Sequence, residues 1–208
     1  MTPGSADLLL VIDVQADFLP GGMLPVPGGD AVVGPINALQ GRFRHVALTQ
    51  DWHPADHVSF ADNHVGRAPF ETVALPYGDQ VLWPRHCVQG SAGAGFAPGL
   101  ATDRASLVIR KGLDSRIDSY SAFLEADRTT RTGLAGALRE RGITRLVLCG
   151  LATDFCVAWS ALDARAAGFD VCVAADAVRG IDVDGSLAAA WARMAAEGVQ
   201  RIATAEIG

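Results

Sequence analysis

The sequence predicts an α/β fold with three layers, α/β/α, around a central, mainly parallel six-stranded sheet. Three observations carry this expectation. Short runs rich in Val, Leu and Ile recur along the chain and are apolar almost throughout, the pattern of strands buried on both faces. Stretches of helical pattern separate them, and such alternation folds into parallel sheets with right-handed crossovers. Half of the 208 residues are hydrophobic and 19% are charged, which excludes a disordered chain and gives material for a real core. The length suits one domain, spanning residues 1–208.

In chain order, "DLLLVIDV" (7–14) is the first expected strand, followed by a helix at about 31–43 and the strand "HVALTQD" (45–51). Residues 52–104 break the alternation. They carry Pro, Gly, His and Trp without a sustained period, and a connection of that length in a compact domain is usually functional. Regularity returns with "SLVIRK" (106–111), a helix at 133–141, "RLVLCG" (145–150), a helix at 154–167, "DVCVAADAV" (170–178), a helix at 185–197 and "VQRIATAEI" (199–207). The last three helices run into glycines, in "RERG", "RAAG" and "AAEG", as helix C-termini tend to.

Charge and composition narrow the function classes. Seventeen basic residues stand against 23 acidic ones, a net −6 with no basic run, so neither nucleic acid nor an anionic membrane is an expected partner. "LLLVI" is far too short to span a bilayer, and no basic leader or cleavage site accompanies it. The four cysteines, Cys87, Cys149, Cys156 and Cys172, do not form a disulfide pattern, and Cys149 and Cys172 sit inside apolar runs. A reducing cytoplasm is the expected location. No interface stripe is visible, and a homo-oligomer is compatible with the sequence.

Ligands of open α/β sheets bind beyond the carboxyl ends of the strands. Those ends deliver Asp13 from the first strand, Asp51 and His53 from the second, Lys111 from the third and Cys156 just past the fourth. With Thr153 or Asp154 as N-cap, Cys156 falls in the first turn of a helix, where the dipole favours a thiolate. A buried Asp13 needs a cationic partner, and Lys111 supplies one. The pair is either a structural ion pair or, beside a thiol, the base and orienting charge of covalent catalysis. Asp17 lies beyond the strand and is expected to brace a loop. Asp51 and His53 are two apart in extended chain and project together, and His86 from the long loop can complete a three-ligand site for a metal with open positions. His57 or Ser59 could add a ligand or a supporting bond, and His64 shares their loop. Phe18 and Trp83 could wall in a flat ring or simply pack.

The stretches "LLLVIDVQADFLPGG", "DWHPADHVSF", "LWPRHCVQGS", "RKGLDSRIDSYSAF" and "CGLATDFCV" together resemble the nicotinamidase (pyrazinamidase) branch of the isochorismatase-like cysteine hydrolases, over nearly the whole chain and in the same order. The resemblance implies that fold, and it implies hydrolysis of nicotinamide to nicotinate and ammonia through a cysteine thioester, a step of NAD salvage, with pyrazinamide as a further substrate. It makes Asp13, Lys111 and Cys156 a catalytic triad and Asp51, His53 and His86 the ligands of one divalent ion, usually zinc, with iron or manganese also seen. It also implies an oxyanion hole from the N–H groups of Ala152 and Cys156, a cis peptide between Leu151 and Ala152, and Phe18, Trp83, Tyr120 and Leu151 at the substrate. The alternative is a sister amidase acting on another small amide. A silent binding protein on the same scaffold would have no need of the thiol.

Overall fold

The computed structural model describes residues 1–208. The strands are β1 (Asp7–Ile12), β2 (His45–Asp51), β3 (Thr72–Leu75), β4 (Gly78–Val81), β5 (Leu107–Lys111), β6 (Arg145–Leu151), β7 (Asp170–Arg179) and β8 (Gln200–Ile202). The helices are α1 (Val33–Gln40), α2 (Leu134–Glu140), α3 (Ala158–Ala166) and α4 (Ser186–Ala196). Six strands form one sheet in the order β5-β2-β1-β6-β7-β8, every pair parallel. The expected three-layer α/β/α architecture is therefore present.

Alternation along β1 explains the layers. Leu9 and Val11 pack with Ile36 and Leu39 of α1, whereas Leu8, Leu10 and Ile12 join Leu138 of α2, Ala161 of α3 and Met194 of α4. Both faces of the strand are covered, so its residues are apolar at every position after Asp7. The chain runs outward from β1 to β2 and β5, then returns to place β6 against the other side of β1. The switch point thus lies between the carboxyl ends of β1 and β6, where open sheets of this kind hold their ligands. The two strands approach so closely there that a Cβ at Gly150 would fall 2.0 Å from the Ile12 carbonyl oxygen.

At the opposite end of the same strand pair, Asp7 faces Arg145 in register, with Nε and Nη2 each 2.7 Å from a carboxylate oxygen. Burial alone would raise the Asp7 carboxyl, but Arg145 and the Gly4 N–H hold it below the usual carboxylate range. A depressed folded-state pKa stabilises the fold above the unfolded value, and that contribution disappears as pH falls through the folded one. Asp7→Asn is accordingly expected to cost about 1 kcal/mol at neutral pH and less in acid, so its urea midpoint should approach the parent's as pH drops.

Several boundaries differ from the sequence expectation. β1 stops at Ile12 because Asp13 turns into the left-handed region, at φ 45°. Only Gln200–Ile202 of the last apolar run is strand, and the expected helix 31–43 is a short 3-10 turn followed by the eight residues of α1. Within the long connection 52–104, β3 and β4 form a separate antiparallel hairpin that the sequence does not announce. Residues 153–157 form a π-helical turn ahead of α3 rather than its first α-turn.

Candidate active site

Lys111 is the hinge of the site. As the last residue of β5 it is fully buried, with Nζ 2.9 Å from Asp13 Oδ2, in ion-pair contact with Asp51 Oδ1, 2.8 Å from the Ser119 carbonyl and 3.5 Å from Cys156 Sγ. A lysine without water is tolerated only where its charge is matched. Burial opposes its protonation, yet Asp13 and Asp51 raise it well above the ordinary lysine range. Asp13 itself is pushed upward, burial outweighing Lys111, and its Oδ1 accepts the Thr49 hydroxyl at 2.6 Å. A carboxylate held up in this way, next to a thiol, suits a proton carrier.

Cys156 departs from expectation in one respect. Its neighbours are those predicted, but burial pushes its thiol well above the usual cysteine value despite Lys111. The anticipated lowering fails because desolvation of the sulfur, with Asp13 and Asp51 beside it, outweighs Lys111; the residue before the turn is Ala152 rather than Thr153 or Asp154, and no side chain caps it. Asp154 instead accepts from Ile181 N at 3.0 Å, Asp182 N at 2.8 Å and Ser186 Oγ at 2.5 Å, tying the turn to the loop after β7. The resting thiol is therefore protonated and needs Asp13 to become a nucleophile. The peptide between Leu151 and Ala152 is cis, as the resemblance implied.

Next to this trio stand three candidate metal ligands. The Nε2 atoms of His53 and His86 lie 3.6 and 3.9 Å from Asp51 Oδ2, and all three residues are buried. Each Nδ1 faces a backbone carbonyl, Gly112 at 3.1 Å for His53 and Pro84 at 2.7 Å for His86. A carbonyl can only accept, so both Nδ1 carry a proton and both Nε2 atoms are turned toward Asp51, the arrangement metal-binding imidazoles use. Burial and His53 hold His86 down at about 4, so it is neutral at physiological pH. Burial would raise Asp51, but Lys111 and His53, whose own protonation that carboxylate favours, keep it far below the usual range. An ionised carboxylate and two imidazoles with inward Nε2 atoms fit a divalent cation, whose charge would take the place of the proton that Asp51 favours on His53.

The neighbouring polar residues brace this set. His57 Nε2 faces the Ile117 carbonyl at 3.2 Å and must donate, which leaves Nδ1 to accept from the Ser59 hydroxyl at 2.7 Å. Both nitrogens are engaged, and the ring packs 4.1 Å from that of His53. His64 Nε2 lies 2.7 Å from the Val58 carbonyl and holds the loop. Asp17 is the brace expected of it, accepting from Cys87 N at 2.7 Å and Met23 N at 3.3 Å.

A family model for the isochorismatase domain matches residues 7–206. The chain belongs to the isochorismatase family. It is 55% identical to a nicotinamidase of Acinetobacter baylyi, over 96% of this chain and 93% of that protein. A solved nicotinamidase/pyrazinamidase of Acinetobacter baumanii superposes with a TM-score of 0.97 at 54% identity, covering 98% of each chain. A pyrazinamidase of Pyrococcus horikoshii in complex with zinc reaches 0.77 at 34% identity, covering 95% of this chain and 99% of that one.

In this isochorismatase-family chain the cavity above Cys156 is lined by Phe18, Trp83 and Tyr120, as expected, together with Leu24, Phe155 and Ile181. Leu151, expected at the substrate, does not line it; the side chain is fully buried in the core with Val26 and Val32. Asp118 is a further site residue without a signal in the sequence, a buried carboxylate on the cavity wall that accepts from Gln80 Nε2 at 2.6 Å and from Ser119 N at 2.8 Å. Gly112 is another. Its φ is 68°, and a Cβ there would sit 2.4 Å from Cε1 of His53. Gly112→Ala is therefore expected to displace that imidazole and reduce bound metal, measurable by elemental analysis after dialysis, with the protein still folded by circular dichroism.

Proposed function

We propose that this chain hydrolyses nicotinamide to nicotinate and ammonia, with Cys156 as nucleophile, Asp13 as proton carrier and Lys111 as the cation between them. The observation behind the proposal is the buried meeting of Cys156 Sγ, Lys111 Nζ and the Asp13 carboxylate under an aromatic cavity that also touches Asp51 and His86. The nicotinamidases among its relatives supply the identity of the amide.

Asp13 takes the thiol proton as Sγ attacks the carboxamide carbon, and the carbonyl electrons move onto oxygen. Ala152 N–H engages no backbone carbonyl and is free to donate to that oxyanion, with the Cys156 N–H as its partner. The proton on Asp13 passes to the amide nitrogen, the C–N bond breaks, and ammonia leaves a thioester. Asp13 next removes a proton from water as its oxygen attacks, the C–S bond breaks, and the proton returns to sulfur. Lys111 stays charged throughout and lowers the cost of each anionic state on its two neighbours. Phe18, Trp83 and Tyr120 supply flat walls for the ring. A divalent ion held by Asp51, His53 and His86, which we assign as zinc, would supply a Lewis acid for the pyridine nitrogen and so set the orientation of the ring.

We read residues 1–208 as a single hydrolase unit acting on a small molecule. The four unpaired cysteines support a reducing compartment, and we place the protein in the cytoplasm. Ammonia release from nicotinamide tests the reading directly, with benzamide, which lacks the ring nitrogen, as the comparison. Rapid release from nicotinamide and weak release from benzamide are expected. No release from nicotinamide alongside turnover of another small amide would reassign the substrate.

A further inference from the structure

Tyr120 forms one wall of the substrate cavity, with the Trp83, Phe155 and Trp159 rings around it at centroid distances of 6.3, 5.7 and 6.2 Å. A second cavity of about 220 Å3 borders the same residue, between the β3–β4 hairpin and the segment 121–128, and Trp159 also lines it. A ring that borders a cavity on one side is held only in part by packing, because close packing is what immobilises an interior ring. The phenol supplies the directional anchor. That oxygen accepts from Trp83 Nε1 at 3.0 Å and lies 3.2 Å from Gln80 Nε2, and Asp118 stands beside it.

Gln80 is the unexpected member of this group. It belongs to β4, is only 1% exposed, and spends its side-chain amide inside the protein. Nε2 donates to Asp118 Oδ2 and to the Val81 carbonyl, both at 2.6 Å, and Oε1 accepts from Tyr77 OH at 3.0 Å. Two amide protons serve three acceptors, so Gln80 fixes Asp118 and Tyr120 as one unit rather than either alone.

We infer that Gln80 is a positioning and specificity-determining residue: through Asp118 and the Tyr120 phenol it sets how far the Tyr120 wall stands from Cys156. Without that latch the ring has a cavity to retreat into. The site would then hold a single pyridine ring less well and admit a bicyclic amide more readily. The inference rests on the nicotinamide reading above.

Two variants test it. Gln80→Met keeps the length of the side chain and removes its donors and acceptor; Tyr120→Phe keeps the ring and removes the phenol. In each, KM for nicotinamide is expected to rise about tenfold while kcat stays within about twofold, because wall position is lost and the chemistry is not. Metal content should be unchanged, and kcat/KM for quinoline-3-carboxamide should rise relative to nicotinamide. The double variant should be no worse than Tyr120→Phe alone, since Gln80 acts on the ring through the phenol. A crystal structure of the Gln80→Met protein should find the Tyr120 ring shifted toward the second cavity. An unmoved ring, additive effects on KM, or a fall in kcat and metal content without a change in substrate preference would overturn the inference. Absence of nicotinamide hydrolysis by the parent protein would instead sink the substrate reading, and the ring position in the Gln80→Met crystal would still decide whether Gln80 holds the wall.

Discussion

Cys156→Ala is expected to lower kcat on nicotinamide by at least about 10^4-fold, because Cys156 is the one cysteine that lines the cavity and its thiol is the nucleophile set beside Lys111 and Asp13. The change removes one buried sulfur, so stability should hold to within about 1 kcal/mol. Binding of nicotinate should survive, since the aromatic walls and the metal ligands are untouched. The three groups act as one unit, and loss of Asp13 on top of Cys156 should cost little more than loss of Cys156 alone. Single-turnover assays with acid quench would also find no thioester-linked nicotinoyl group on the variant. Turnover within about tenfold of the parent would mean that water is activated directly and that the thiol is a bystander.

How far the sequence can anticipate this site depends on where each residue sits. Asp13, Asp51 and Lys111 are legible because they end apolar runs, and the carboxyl ends of parallel strands converge at a switch point. The six sheet strands are legible for the related reason that burial on both faces leaves few polar positions. β3 and β4 are not, because their residues are half exposed and follow neither period cleanly. His86, which has no strand to announce it, is readable only from its neighbours in "LWPRHCVQGS". Leu24, Phe155 and Ile181 come from three separate segments, and no local pattern brings them to one cavity. The elevated thiol pKa is hidden for another reason. A helix-like spacing signals a dipole, whereas desolvation depends on everything packed around the sulfur.

Lys111 joins two chemistries that the sequence leaves separate. Its ammonium touches Asp13 on the side of the thiol and Asp51 on the side of the imidazoles. One cation therefore balances two buried carboxylates, and the remaining negative charge is available to a metal. Asp51 is bound into both halves, so its removal disturbs both. His86 contacts the metal half, the Pro84 carbonyl and the Phe18 and Phe60 rings.

That difference sets up the second large effect, a comparison of His86→Ala with Asp51→Ala. Both are expected to weaken metal binding by at least about 100-fold, measured by competition with a chelating dye, since each deletes one of the three proposed ligands. Their behaviour with metal in excess should diverge. Saturating zinc is expected to restore part of the activity of His86→Ala, whose Asp13–Lys111–Cys156 contacts are intact. It should restore little in Asp51→Ala, where Lys111 has lost one of its two counter-charges and pairs with Asp13 alone, so that the proton carrier is less basic. Removing the ion from the parent protein with a chelator should reproduce the His86→Ala phenotype and not the Asp51→Ala one. Full metal occupancy in both variants would show that the cation is held elsewhere. Equal rescue of the two would show that Asp51 is a ligand and nothing more, and that the link through Lys111 carries no catalytic weight.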